Sequence, residues 1–85
     1  MPTSIFDTLS SETKLKQLIL SLEFIDERIY ASVTVLGLDP DTFNPDTWVR
    51  DNETHPEDSH GDYFQNQLER SIQVRSLILA KRATL

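Results

Sequence analysis

The sequence predicts an all-α fold, an antiparallel helical hairpin behind a short N-terminal arm, and three observations carry that prediction. Apolar residues recur at alternating three- and four-residue spacings in two stretches, about 11–36 and about 60–83. The composition is rich in Leu, Ile, Glu, Gln, Lys, Arg and Ser, which suits helices. There are only 2 glycines and 4 prolines, too few for the turns a β-protein requires. The 85 residues read as a single helical domain: an arm (1–10), a first helix (11–36), an acidic connection (37–61) and a second helical segment (62–85).

The arm carries Ile5, Phe6 and Leu9. Ser4 and Asp7 have capping-box spacing, with Asp in place of the usual Glu, which predicts one helical turn. The first long helix opens at Ser10 or Ser11, either of which can cap it. Glu12 then falls in the first turn, where the helix dipole favours negative charge. Its stripe is Leu15, Leu18, Leu22, Ile25, Ile29 and Leu36, with Ser32 between the last two. The stop is equally marked. Gly37 fits the left-handed position after a helix, Leu38 can fold back on the last turn, and Pro40 forbids continuation.

The connection contains a repeat, Asp39-Pro-Asp-Thr-Phe43 followed by Asn44-Pro-Asp-Thr-Trp48. An Asx residue before Pro starts a capped turn, so each copy returns one aromatic, Phe43 or Trp48, towards the helices. From Arg50 to His60 the chain is polar and reads as mobile. The second helix starts near Ser59 or Gly61, has Asp62 in its first turn, and ends with Lys81 and Arg82 where the dipole favours cations. Phe64, Leu68, Ile72 and Leu79 form its stripe, with Val74, Leu77 and Ile78 off it.

Charge is unevenly placed. The net −6 divides into −2 over residues 1–36, −7 over 37–62 and +3 over 63–85. An acidic chain lacks the Lys and Arg with which non-specific DNA binding neutralises phosphates, so nucleic acid is not an expected partner. No apolar run approaches the roughly 18 residues of a membrane span. The opening residues lack the basic-then-apolar pattern of a signal peptide, and by elimination the expected location is cytoplasmic.

Self-association is the expectation that follows from size and pattern together. A chain this short has a marginal core, and with no cysteine neither a disulfide nor a thiolate metal site can reinforce it. Helix 1 also carries a second apolar line, Leu20, Phe24, Ala31 and Val35. At about 100° per residue, Leu20 points about 200° from Leu18, so one partner helix cannot cover both. A homo-oligomer, most simply a dimeric four-helix bundle, buries the second line. The alternative is that the arm and the Phe43 and Trp48 turns fold over it. The candidate interface is Leu20, Phe24, Val35, Phe43 and Trp48. Trp48 reads either as a plug closing the end of the bundle or as an anchor for a partner.

The remaining candidates are weaker. His55, His60 and the acids around them have metal-ligand chemistry, yet no register matches an EF-hand loop, and the histidines lack the same-face helical spacing. No metal or other cofactor is expected. No phosphate loop, nucleophile elbow or paired carboxylates in an apolar setting occur, so no catalytic residue is assigned. Arg70 and Arg75 are candidate anion-binding residues. Arg75 falls between Ile72 and Leu79 on the stripe, with Asp26 beside Ile25 and Ile29 as its natural partner. The expected function is a non-enzymatic oligomeric interaction module, an adaptor, inhibitor or assembly factor acting on another protein. The alternative is a binding protein for an anionic small molecule such as a nucleotide, held in inter-subunit pockets by the helix 2 arginines.

Overall fold

In a computed structural model of the chain, residues 5–85 are described, apart from the side chain of Asp7. The Ser4–Asp7 capping box therefore lies outside the described residues. Phe6–Thr8 forms one turn of 3-10 helix, followed by α1 (Ser11–Val35) and α2 (His60–Ala83). Among the described residues there is no strand, and α1 and α2 pack against each other as a hairpin.

Each helix ends where its local chemistry directs. Ser10 caps α1, its hydroxyl oxygen accepting from the Thr13 N–H at 3.2 Å. At the other end Gly37 takes φ +75°, a left-handed conformation that a Cβ makes costly. That bend lets the Leu38 N–H reach the Val33 carbonyl (3.0 Å) and the Gly37 N–H reach that of Thr34 (3.1 Å), satisfying carbonyls the helix leaves open. Ser59 caps α2 by accepting from the Asp62 N–H at 3.1 Å. Lys81 and Arg82 occupy its last turn.

The core is a line of α1 residues, Leu18, Ile25, Ile29, Val33 and Leu36, with Leu68 of α2 fully enclosed. The stripe read from the sequence is thus largely the packed one, with four differences, the first being that Val33, which the stripe does not include, is 1 % exposed. Leu15, near the N-terminal end of α1, stays 38 % exposed. Ile78 packs against the core cluster although periodicity set it off the stripe. The cause is the width of the contact, which takes in Ser71, Arg75 and Ile78 as well as Leu68 and Ile72. Gln65, which the sequence reading does not assign, is 1 % exposed.

The connection is built from three similar turns. Asp39 Oδ1 accepts from the Asp41 N–H and Asn44 Oδ1 from the Asp46 N–H, both at 2.9 Å. The backbone then closes from Phe43 N–H to Asp39 carbonyl (3.0 Å) and from Trp48 N–H to Asn44 carbonyl (3.1 Å). Asp51-Asn-Glu-Thr-His55 repeats the pattern without proline. Asp51 Oδ1 accepts from the Glu53 and Thr54 N–H groups, and the His55 N–H closes on the Asp51 carbonyl, each at 3.1 Å. The aromatics so delivered end against the helices. Phe43 and Trp48 pack on the core cluster with ring centroids 6.4 Å apart, and the His55 imidazole fills the space a Cβ would need at Gly61.

Candidate functional site

The connection returns along one flank of the hairpin, and its anchors show why it stays there. Arg50 reaches α2 with both terminal nitrogens of its guanidinium. Nη2 pairs with Asp62, Nη1 donates to Asn66 Oδ1 at 2.8 Å and stands 3.2 Å from a Glu69 oxygen, and Nε donates to Asn52 Oδ1 at 3.1 Å. Glu69 first, then Asp62, hold the guanidinium charged against its partial burial. One turn along α2, the Gln65 amide oxygen accepts from the Asp51 N–H at 2.7 Å. This uses the oxygen of a buried side chain, and its Nε2 has no acceptor among the described residues. The stretch expected to be mobile is therefore tied at Arg50, Asp51 and His55.

Within the third turn the Asp51 carboxyl is held below the ordinary carboxylate range. Hydrogen bonds from Thr54, by its side chain and then its N–H, do most of this, and the Glu53 N–H and the nearby His55 add to it.

Between the connection and α1 lies a small cavity of ≈ 200 Å³, lined by Asp26, Ile29, Tyr30, Val33, Pro40, Phe43, Pro45 and Arg75. Arg75 Nε donates to Asp26 Oδ1 at 3.2 Å, the pairing that their stripe positions suggest. An anion approaching Arg75 would compete with this carboxylate. Arg70 is exposed, and no described ion pair engages it.

The opposite flank has no such cover. Leu20 is 61 %, Phe24 57 %, Val35 50 % and Tyr63 58 % exposed. Leu20, Ser21, Phe24 and Ile25 of α1 face Val74 and Ile78 of α2 across an open groove. The arm touches only the end of this flank, where Phe6 and Leu9 sit by Gln17, Leu18 and Ser21. Lys81 stands over the Phe6 ring at 4.5 Å.

Helical geometry places Gln17, Leu20, Phe24, Arg28, Ala31 and Val35 of α1 on this flank, with Tyr63, Gln67, Arg70, Val74 and Lys81 of α2. No carboxylate is among them, and Glu27 stands at the outer edge. The flank is thus apolar and weakly basic in a chain of net charge −6.

The candidate interface residues accordingly separate. Leu20, Phe24 and Val35 share the bare flank, while Phe43 and Trp48 lie on the covered one, half-buried against the core. The sequence reading did not assign Arg50, Gln65 or the third turn. The Asp51-x-x-Thr-His55 spacing, matching the two earlier copies, was the available signal. Among the described residues, no His, Asp and Glu group is arranged to hold a metal, and no helix is long and apolar enough to cross a membrane. Compared with known protein families, curated proteins and solved structures, the chain gives no match.

Proposed function

We propose that this chain is a non-enzymatic interaction module whose working surface is the bare flank of the hairpin, and that it self-associates there into a dimeric helical bundle. The observation that supports the reading is the exposure of Leu20, Phe24 and Val35 along one side of α1, a line the connection does not cover. Burying a side chain of this kind stabilises by roughly 1.5–3 kcal/mol, so several together rival the stability of a small domain. A second copy offers the same need and removes both. Bound to its own kind, the module presents the acidic connections outward, where they favour basic partners and speed encounter. An adaptor, inhibitor or assembly factor is the role that suits such a surface. Capture of an anion by Arg70 and Arg75 has less support, because Arg75 is already paired with Asp26.

The test is thermal unfolding at several chain concentrations. Association that exists only in the native state raises Tm as concentration rises. A Tm that is independent of concentration over a hundredfold range, with Leu20→Glu unfolding at the same temperature as the parent, counts against the reading.

A further inference from the structure

The covered flank holds a hollow that the hairpin does not fill. Its ≈ 200 Å³ lie between Ile29 and Val33 of α1 and Pro40, Phe43 and Pro45 of the two Asx-Pro turns. Asp26 and Tyr30 line it as well, and both also line a shallower depression that continues along α1 to Glu23 and Glu27. Glu23, Asp26, Glu27 and Tyr30 follow the i, i+3, i+4, i+7 spacing that gathers side chains on one face of a helix. An apolar hollow thus opens directly onto a carboxylate one.

The charge around this opening is one-sided. Arg75 is the cation among the lining residues, and Asp26 already neutralises it at 3.2 Å. No described ion pair engages Glu23 or Glu27. The two prolines at the opening are followed by Asp41 and Asp46, both exposed.

We infer that the two hollows together dock a basic amphipathic segment of another protein. One apolar side chain of that segment enters the cavity. A lysine or arginine about one helical turn away lies over Tyr30 among Glu23, Asp26 and Glu27, where carboxylates and the ring face both attract a cation. The inference goes beyond self-association and shares with that reading only the expectation of a basic partner.

Size and charge choose this occupant. The ≈ 200 Å³ of the cavity falls below the roughly 300–1,000 Å³ of a small-molecule site, so it takes a side chain rather than a whole ligand. A partner without cations would desolvate Glu23 and Glu27 without pairing them, and an acidic one would be repelled. The site also stays open in a dimer formed through the bare flank, because Asp26 points about 200° from Phe24 around α1.

The test is fluorescence anisotropy of a labelled amphipathic helical peptide of leucine and arginine, titrated with the full chain. Comparison peptides carry glutamate at each arginine position or serine at each leucine position, and the parent peptide should bind about tenfold more tightly than either. Tyr30→Ala and Glu23→Gln/Glu27→Gln, all at exposed positions, should each weaken binding by roughly fivefold. Glu53→Gln/Glu57→Gln makes the same change of charge elsewhere on the surface and should leave binding within about twofold. Phe24→Glu should bind at least as tightly as the parent chain, whatever its native mass. Equal losses from the two acid pairs would reduce the site to general attraction between an acidic chain and a basic peptide. Loss in Phe24→Glu with none in Tyr30→Ala would move the peptide to the bare flank. Either result, or no binding at all, overturns the inference. A chain that is monomeric yet binds the peptide in the expected pattern overturns self-association alone.

Discussion

The two flanks of this hairpin are made from the same pair of helices and end in opposite states. On one, the connection delivers Phe43 and Trp48 onto the core and secures itself through Arg50 and Asp51. On the other, Leu20 and Phe24 stay more than half exposed. The difference is not one of apolar content but of what the chain has available to cover each side. A 24-residue connection can return along one flank only, and Arg50 and the Asp51 N–H hold it to the flank that carries Asp62, Gln65, Asn66 and Glu69. Amphipathic helices with one apolar side need one neighbour. α1 has two apolar sides and receives one neighbour from its own chain.

Four perturbations would break or sharpen this contrast. The largest effect is expected from Trp48→Ala, which should cost about 3 kcal/mol of unfolding free energy by denaturant titration, because it removes a large side chain packed on the core. An unchanged midpoint would mean that the covered flank is not held by its aromatics. Next is Arg50→Ala, a smaller loss on the same titration, since it removes the cation from the Asp62 carboxylate, whose side chain is only 14 % exposed. Recovery of that loss in Arg50→Ala/Asp62→Asn would identify the stranded charge as the cause.

Gly61→Ala is a finer probe. Alanine favours a helix by about 1 kcal/mol over glycine, yet its Cβ must displace the His55 ring. We expect net destabilisation of about 1 kcal/mol, and net stabilisation would show that the third turn does not bind α2. The smallest effect is that of pH on the same turn. Asp51 has a lowered folded pKa, so its contribution is fully present above the ordinary carboxylate range and is lost as pH falls through the folded value. The protection of the Glu53 and Thr54 amides, measured relative to their intrinsic exchange rates, should therefore fall below about pH 4 while the helix cores stay protected.

Most of the covered flank was legible residue by residue. Ser10, Gly37 and Ser59 mark helix ends because capping is local chemistry, and the two Asx-Pro copies foretell two aromatic turns for the same reason. Gln65 was not legible. Its burial is decided by the Asp51 N–H, 14 residues away, and a glutamine beside exposed arginines resembles any solvated position. Arg50 escaped in the same way, its partners lying 12 to 19 residues downstream. The bare flank was visible as a second apolar line on helix 1. Periodicity alone left open whether the arm and turns would cover it, because coverage depends on where a connection is anchored.

Self-association through the bare flank is the central claim, and native mass tests it most directly. Light scattering after size exclusion, over a hundredfold range of concentration, should give about twice the 9.8 kDa of one chain for the parent. Phe24→Glu, which places a charge on the exposed apolar line without touching the core, should give a folded species of about 9.8 kDa. A parent that stays monomeric at every concentration, or a Phe24→Glu variant that assembles as the parent does, would contradict the account.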